Sequence, residues 1–409
     1  MTIKEAIFNG NYEEAVEFVR RGHKKEIKST LEETFFFQNL YRHAAGMSLI
    51  EALADKGLVE LNVYKFKTIK SSILGEIIRY LKNNATAGNI EKFKSILHKT
   101  ENLDKVIGDS NLMSYAIEQN VSIEIIEAMI KAGCDVNFLN TAGGNYLHRT
   151  VMKPTSTNNM DGQSQEASYI RFFTDKGVDI NAKNAAGQTP LLSLIASANR
   201  YNRDTLISLI ECGADVNARA VDGTTALDLA LMKQNIDLCN TLLEHGATVD
   251  NAIQDDNQQS TIYRFLASCS YAPSNTELAL LELIMTSGFD PFQINKSAYG
   301  KNQTLLDLIL DKSPDTLKLM LEYVVFDLNE PIQDGNTALH KVCAYNINYE
   351  SDKAKDTYRK VKILITQGAD ASLKNNDGKT ALELAALDEK KYMTVEYLQK
   401  QRPSDWCNF

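Results

Sequence analysis

Ser110 is the residue whose surroundings most suggest a catalytic nucleophile. It stands in the run GDSNL at residues 108–112. A serine hydroxyl attacks a substrate only when a neighbouring base accepts its proton, and that base is most often a histidine oriented by a carboxylate. The first question for this chain is therefore whether its histidines supply such a base.

The run at 108–112 resembles the nucleophile block of the GDSL-type hydrolases, a family that also carries a D-x-x-H motif. None of the six histidines here has an Asp three residues before it. The base that the chemistry requires is missing from the pattern, so the resemblance stops at one short block. We expect Ser110 to lie in a turn near the N-cap of a helix.

The other histidines and the cysteines do not form a metal or redox pattern. Zinc and redox sites place Cys and His at short, paired spacings such as CxxC. Four histidines stand in dissimilar contexts, at positions 23, 43, 98 and 245, and the six cysteines are scattered over positions 134, 212, 239, 269, 343 and 407. We predict no catalytic residue, no metal site and no cofactor, with the cysteines reduced and packed in the core or in turns.

Two motifs recur along the chain, and both are built from turn and cap residues. The first is GADVN at 213–217, with altered copies at 133–137, 177–181, 246–250, 288–292 and 368–372. The second follows most copies of the first, as DGTTALDLA at 222–230 and related runs at 142–150, 186–194, 334–342 and 377–385. Where copies are adjacent, its Thr position recurs after 44, 36 and 43 residues. A period near 33 residues, lengthened by insertions, is typical of stacked repeats.

Each residue type in these motifs suits one backbone position. Gly213 follows an apolar helical segment, where a left-handed residue ends a helix and glycine has no Cβ penalty. Asp222 and Gly223 form a tight-turn pair, and Thr225 is placed to accept a hydrogen bond as an N-cap. Pro190 fits the first position of a helix. Such short helices are stable only when neighbouring repeats bury their apolar faces.

These motifs resemble the ankyrin repeat, whose pattern is D-G-x-T-P-L-H-x-A, a short helix, a turn, a second helix and G-A-D-V-N. The resemblance is close at 187–220, 223–254, 335–374 and 378–400, recognisable at 109–140 and 143–184, and weak at 258–297 and 300–332. It implies an all-α solenoid of stacked helix pairs with turn hairpins, in about 11 repeats. It also implies that His148 and His340 hydrogen-bond neighbouring turns.

Upstream of residue 108, helical pairs appear without the signature turns. Residues 6–22 have the rhythm of one repeat, 72–99 have it again with Ala87-Gly88-Asn89 at the turn, and 35–60 could be a third. The predicted divisions are divergent ankyrin-like repeats at 1–107, an array with inter-helix insertions at 108–400, and a capping tail at 401–409. Trp406 is expected to fold over the last repeat, and a free docking tail is the alternative.

Composition limits the classes of partner. The chain has 44 % hydrophobic and 24 % charged residues, and no apolar run approaches the length of a membrane span. Residues 1–107 carry 17 Lys and Arg against 14 Asp and Glu, whereas residues 108–409 carry 27 against 39. An acidic body disfavours binding to nucleic-acid phosphates. We expect a monomer that does not insert into membranes, located in the cytoplasm or exported without a cleavable signal peptide.

In ankyrin arrays the turn tips and the first helices line a concave groove that usually binds partner proteins. By this resemblance the predicted partner-binding residues are those at the turn tips: Asn140, Lys183, Asn184, Arg219, Val221, Gln333, Asn375 and Asn376. They vary in chemistry from repeat to repeat, while the framework Gly, Leu and Ala recur. Free drift of solvent-exposed tips is the alternative explanation.

Insertions mark a second candidate surface. They fall between the two helices of a repeat, at 153–168, 197–203, 268–276 and 345–358, and stacked repeats would bring them to one edge. Several carry tyrosines, which offer a large contact area with few rotatable bonds. The predicted second-edge residues are Tyr201, Tyr271, Tyr345, Tyr349 and Tyr358. Neutral loop insertion is the alternative.

The leading interpretation is a non-catalytic scaffold that binds a partner protein of unknown identity through the groove and turn tips. One alternative is a secreted bacterial effector that engages host proteins, because degenerate Lys-, Asn- and Ile-rich ankyrin arrays resemble those of bacteria living with eukaryotes. A further alternative is an enzyme hidden in the divergent first hundred residues, although no acid–base or nucleophile set is visible there.

Overall fold

The computed structural model describes residues 3–22, 27, 40, 44–152, 164–197, 202–249, 259–297, 299–347 and 350–401, and the chain separates into two compact units. Unit 1 is Met1–Ala220 and unit 2 is Val221–Phe409. Both consist of short helices that pair along the chain, so the predicted all-α class with stacked helix pairs is confirmed.

In unit 1, second helices stack on second helices and first helices on first helices. The helices of its described part are α1 Ile3–Phe8, α2 Tyr12–Arg21, α3 Ala44–Asp55, α4 Ile73–Leu81, α5 Ala87–His98, α6 Leu112–Glu118, α7 Ile123–Lys131, α8 Tyr146–Met152, α9 Gln165–Asp175, α10 Pro190–Ala196 and α11 Arg203–Glu211. Helix α3 lies between α2 and α5, and two 3-10 turns follow it at Val63–Lys65 and Ile69–Ser71.

Unit 2 repeats the arrangement. Its described elements are α12 Ala226–Met232, α13 Ile236–Glu244, α14 Thr261–Ser268, α15 Asn275–Thr286, β1 Ile294–Lys296, β2 Asn302–Thr304, α16 Leu305–Leu310, α17 Pro314–Tyr323, α18 Ala338–Ala344, α19 Ser351–Thr366, α20 Ala381–Ala385 and α21 Tyr392–Lys400, with a 3-10 turn at Glu389–Lys391. The first helices α12, α14, α16, α18 and α20 form one stack, and the second helices form another.

The cap residues predicted from the motif begin these helices. Thr225 Oγ1 accepts the Asp228 N–H at 3.2 Å, and the Asp228 carboxylate accepts the Thr225 N–H at 2.9 Å. This reciprocal pair satisfies two backbone groups at the start of α12. Pro190 occupies the first turn of α10, behind the N-cap Thr189, as predicted. The cap therefore explains why the fourth residue of the motif is Thr in four of its five copies.

Apolar side chains of neighbouring repeats form the core of each unit. In unit 1 the ring centroids of Tyr146 and Phe173 are 5.3 Å apart, and both side chains are fully buried. Single helices of seven to eleven residues, such as those that carry these rings, are marginal alone. Their stability comes from this burial between repeats.

Turn hairpins supply the extended segments of the described chain. In unit 2, β1 pairs antiparallel with β2, with Ile294 opposite Thr304. The later turns of the unit are shorter and contain single bridges, at Gln333 with Asn336 and at Lys374 with Thr380. Residues 258–332, where the repeat pattern is weak in sequence, thus contain the longest hairpin together with helix pairs.

Three sequence-based boundaries require correction. Ala87-Gly88-Asn89 opens α5 instead of forming the turn, because Thr86 accepts the Asn89 N–H and caps the helix there. Residues 165–168 belong to α9, since Ser164 is its N-cap. Tyr358 lies inside α19, because this sixteen-residue helix begins at Ser351 and absorbs most of the insertion.

Some predictions fall outside the described residues or remain predictions. Most of the tail at 401–409, with Trp406, lies outside the described part of the chain, as do Tyr201 and Tyr349. The count of about 11 repeats and the divisions at 107 and 400 remain predictions.

Candidate functional site

Ser110 serves a turn, and its hydroxyl has no histidine partner among the described residues. Its backbone carbonyl accepts the Ile107 N–H at 2.9 Å, which closes the turn before α6. Its Oγ accepts a hydrogen bond from Arg149 Nη2 at 2.5 Å, and Arg149 also pairs with Glu118. Arg149 cannot accept the hydroxyl proton, and no other side chain of the described residues reaches Oγ as a base, so the geometry does not support a nucleophile.

The two motif histidines join consecutive turns, as the resemblance implied. His340 Nδ1 accepts the Thr337 N–H at 3.3 Å, and its Nε2–H reaches the carbonyl oxygens of Leu373 at 3.1 Å and Lys379 at 3.2 Å. Both ring nitrogens are therefore engaged, and burial lowers the pKa of His340 below its ordinary value.

His148 has the same arrangement in unit 1. Its Nδ1 lies 3.2 Å from the Asn145 backbone nitrogen, and its Nε2 lies 2.9 Å from the Gln188 carbonyl oxygen. Burial lowers the pKa of this ring as well. A neutral imidazole that accepts at Nδ1 and donates from Nε2 fits both sites. Each Nδ1 also lies 2.8 Å from a side-chain oxygen, Asn145 Oδ1 for His148 and Thr337 Oγ1 for His340.

The described cysteines are free thiols, and all of them except the half-buried Cys212 are buried. Burial raises the pKa of four thiols to about 12, those of Cys134, Cys239, Cys269 and Cys343. The thiolate is the reactive form of cysteine. Within the described ranges, no three His, Cys, Asp or Glu side chains are grouped so as to hold a metal ion.

Three of the predicted tip residues use their side chains to close their own turns. In each, the side-chain oxygen accepts the backbone N–H four residues later. The distances are 2.8 Å for Asn140, 3.0 Å for Asn184 and 3.0 Å for Asn375. An asparagine that satisfies its own turn has less hydrogen-bonding capacity for a partner.

The remaining tip residues differ in exposure. Lys183 and Asn376 are exposed, Val221 is 76 % exposed, and Arg219 is half-buried. Gln333 donates from Nε2 to the Asn302 carbonyl oxygen at 3.1 Å.

Two second-edge tyrosines meet around one lysine. The Lys360 Nζ of α19 lies 5.6 Å from the ring centroid of Tyr271 and 5.8 Å from that of Tyr345. The Tyr271 hydroxyl donates to Asp356 at 2.7 Å. These rings come from different insertions, and in unit 2 they pack on a buried cation. Tyr358, on the same helix, makes an edge-to-face contact with Tyr397 at 5.8 Å.

Unit 2 contains an open cavity of about 540 Å³ between the β1–β2 hairpin and the first helices α14, α16 and α18, which we call the groove cavity. The side chains that matter for its chemistry are Tyr263, Tyr299, Asp307, Asp311, Lys341 and Tyr345. Gln333 is the predicted tip residue that also lines it, and Tyr345 is the second-edge residue that does.

Sequence reasoning missed most of the groove cavity. Tyr299 lies in the β1–β2 hairpin, at the tip position of its repeat, and is 91 % exposed. The repeat motif is weak in this part of the sequence, so the tip position could not be recognised from it. Asp307 and Lys341 stand in the first helices, three and four residues after their N-cap threonines. That spacing from the cap was available in the sequence and would have placed both on the groove side.

Charged side chains on consecutive first helices of unit 2 form ion pairs. Arg264 of α14 lies 3.4 Å from the Asp228 carboxylate of α12, and Lys341 of α18 lies 3.1 Å from the Asp307 carboxylate of α16. Both acids also cap their own helices. The pairs thus connect neighbouring first helices.

Comparisons with known proteins agree with the repeat architecture. Residues 163–255 match the family model "Ankyrin repeats" in three copies. Similar proteins include "Ankyrin repeat protein T5" of Rabbit fibroma virus, 23 % identical over 304 residues, which are 71 % of this chain and 56 % of that protein.

Two further relatives show the breadth of the similarity. "Ankyrin repeat domain-containing protein M-T5" of Myxoma virus is 22 % identical over 298 residues, covering 71 % of this chain and 56 % of that protein. "Nuclear factor NF-kappa-B p105 subunit" of Gallus gallus is 27 % identical over 169 residues, covering 41 % of this chain and 15 % of that protein. The chain thus spans about half the length of the viral relatives it matches. No helix in the described ranges combines the length and apolarity needed to cross a membrane.

Proposed function

We propose that this chain, an ankyrin-repeat protein, is a non-catalytic scaffold that binds a partner protein through the groove face of unit 2. The observation that carries the proposal is the groove cavity. It is open to solvent, it is bounded by a hairpin and three first helices, and it combines aromatic with charged side chains. Such a surface supports binding to an extended segment of another protein.

The state of the titratable side chains favours binding over catalysis. The two motif histidines hold turns together, and the described thiols with shifted pKa values are protonated at neutral pH. On the groove face, Asp307 and Lys341 neutralise one another. An ion pair of this kind can orient a bound segment of a partner protein by its electric field. It does not provide an unpaired group that could act as a catalytic acid or base.

A capture experiment with matched surface variants tests the proposal. The immobilised full chain is incubated with a lysate of its source cells, and the bound proteins are quantified by mass spectrometry. The groove variant is Tyr299→Ala with Lys301→Ala. Its control is Tyr323→Ala with Lys318→Ala, which removes the same side chains from α17, away from the cavity.

We expect the wild type and the control to retain the same proteins and the groove variant to lose at least one of them. Equal retention by all three chains would show that binding does not use this face. Thermal melts of the three chains establish that each variant is folded.

A further inference from the structure

One carboxylate of the groove cavity has no hydrogen-bond partner among the described residues. Asp311 follows the last residue of α16 and lines the cavity. Within the part of the chain that the structure describes, no donor reaches its side-chain oxygens, and the residue is exposed to solvent. Asp307, one turn earlier, accepts the Thr304 N–H at 2.9 Å and pairs with Lys341. The cavity thus holds one engaged and one unengaged carboxylate.

Cations surround Asp311 without bonding it. Lys360 donates from Nζ to the Leu310 carbonyl oxygen at 2.7 Å, and Lys312 donates to the Cys269 carbonyl oxygen. Lys341 is directed to Asp307. None of these three ammonium groups forms a hydrogen bond or ion pair with Asp311 among the described residues, so its oxygens are open to a donor from outside the chain.

The walls of the groove cavity suit a long, flat cation. Leu310 and Val342 line its floor as buried side chains, and the rings of Tyr299, Tyr263 and Tyr345 supply most of the apolar surface around the opening. An arginine side chain combines an aliphatic stem, which packs on apolar surface, with a planar guanidinium that stacks on aromatic rings and donates two parallel hydrogen bonds to a carboxylate. Lysine offers only a point charge.

The net charge of unit 2 also favours a basic ligand. Residues 221–409 carry 18 Lys and Arg against 27 Asp and Glu, a balance of −9, whereas residues 1–220 carry 26 of each. The net charge of the whole chain, −9, therefore belongs to unit 2. A negative unit attracts a basic segment over a longer range than any single pair.

We propose that the groove cavity seats an arginine side chain from an extended segment of the partner, with its guanidinium on the Asp311 carboxylate. This inference rests on the proposed function and names the chemistry of the partner. The guanidinium satisfies the unengaged oxygens, and the stem lies against the rings of Tyr299 and Tyr345.

Selection from a random peptide library tests the inference on the full chain. Dodecapeptides displayed on phage are selected against the wild type, and the affinities of the enriched synthetic peptides are measured by fluorescence anisotropy. Each is then measured against Asp311→Asn and against Asp352→Asn. The second variant removes the same charge from a carboxylate of α19 whose side chain is 93 % exposed and lies outside the cavity.

We expect the enriched peptides to share an arginine, and the loss of either this arginine or the Asp311 charge to weaken binding roughly tenfold or more. Asp352→Asn should bind as the wild type does. Asp311→Lys should bind poorly to the original peptides and regain affinity for peptides in which glutamate replaces the arginine. Melting curves establish that the variants are folded.

The outcomes separate the two proposals. Peptides that lose affinity for the Tyr299→Ala and Lys301→Ala double variant but not for Asp311→Asn would overturn the arginine inference and leave the groove as the binding face. Peptides that bind every groove variant equally, or no enrichment at all, would overturn both.

Discussion

Lys360 Nζ donates a hydrogen bond of 2.7 Å to the backbone carbonyl oxygen of Leu310, the last residue of α16. The lysine comes from the second helix of the following repeat, so one side chain closes the C-terminus of a neighbouring first helix. Lys391 repeats the contact on α18, with distances of 2.8 Å to the Cys343 oxygen and 2.6 Å to the Tyr345 oxygen. Positive charge at a helix C-terminus stabilises the unsatisfied carbonyl groups.

The first prediction concerns the charge of Lys360. Burial lowers its pKa to about 8 in the folded protein, below the ordinary value of 10.5. The unfolded chain therefore binds more protons between pH 8 and pH 10.5, and this lysine makes stability rise as pH rises through that window, by at most about 1.4 kcal/mol per pH unit. Lys360→Met should remove that contribution.

Urea denaturation of the wild type and of Lys360→Met, at several pH values from 7 to 10.5, measures the difference directly. Taking the difference cancels the buried tyrosines and cysteines, which titrate in both proteins. Lys362→Met, on the same helix, is the control. If the difference in unfolding free energy between the wild type and Lys360→Met does not change with pH over this range, the Lys360 ammonium is solvated in the folded state.

The second prediction concerns acid. Burial lowers the pKa of His340 below its ordinary value of 6.5 in the fold, so the unfolded chain binds the extra proton when pH falls through 6.5. Stability should therefore decline below about pH 6.5. His340→Gln, which can keep a donor near the Lys379 carbonyl, should be less stable at pH 7.5 but lose less stability at pH 5.

Denaturant midpoints at the two pH values provide the measurement. His98→Gln, at the exposed end of α5, is the matched control and should behave as the wild type does. Because His148 remains, the acid effect in His340→Gln should shrink without vanishing. The idea fails if the control and His340→Gln lose the same stability between pH 7.5 and pH 5.

The third prediction compares two glycines in left-handed conformations, Gly213 with φ +96° and Gly335 with φ +71°. A Cβ at Gly213 would meet no atom within 4 Å, whereas a Cβ at Gly335 would lie 2.7 Å from the Asn376 backbone nitrogen. Gly213→Ala therefore costs only backbone strain, about 1–2 kcal/mol. Gly335→Ala adds a clash between stacked turns and should cost more.

Unfolding free energies of the two alanine variants measure this difference. Gly213→Val should be worse than Gly213→Ala, because a β-branched residue resists positive φ more strongly. Equal costs at the two positions would mean that the turns separate freely to accept the new methyl group.

The fourth prediction concerns thiol reactivity. In a Cys407→Ser background, Cys212 should react first with a disulfide reagent at pH 8, because it is half-buried while the other described thiols are buried. Burial raises the pKa of those four to about 12, so they should react only as the protein unfolds. Mass spectrometry after timed labelling identifies the order. Early labelling of Cys343 would contradict the packing described for α18.

The sequence was informative where one residue type has one backbone role. Thr225 as a cap, Pro190 in the first turn and Gly213 in a left-handed turn each follow from local chemistry, and the structure contains all three. The same local reasoning placed His148 and His340 correctly once the repeat was recognised. Helix caps and turns depend on residues that are adjacent in the sequence, so they can be predicted from it.

The candidate surfaces were harder to predict because they depend on contacts distant in sequence. The meeting of Tyr271 with Lys360 spans 89 positions and arises only when repeats stack. Asp311 stands next to a helix end, and its lack of a donor becomes visible only once its neighbours are placed.

The most direct test of the groove as the binding face is site-specific photo-crosslinking. A benzoylphenylalanine at position 299 replaces a tyrosine that lines the groove cavity, and one at position 323 replaces a tyrosine on α17 outside it. After irradiation in a source-cell lysate, we predict a discrete crosslinked protein from position 299 and none from position 323. Crosslinks from position 323 alone, or the same product from both positions, would contradict the account.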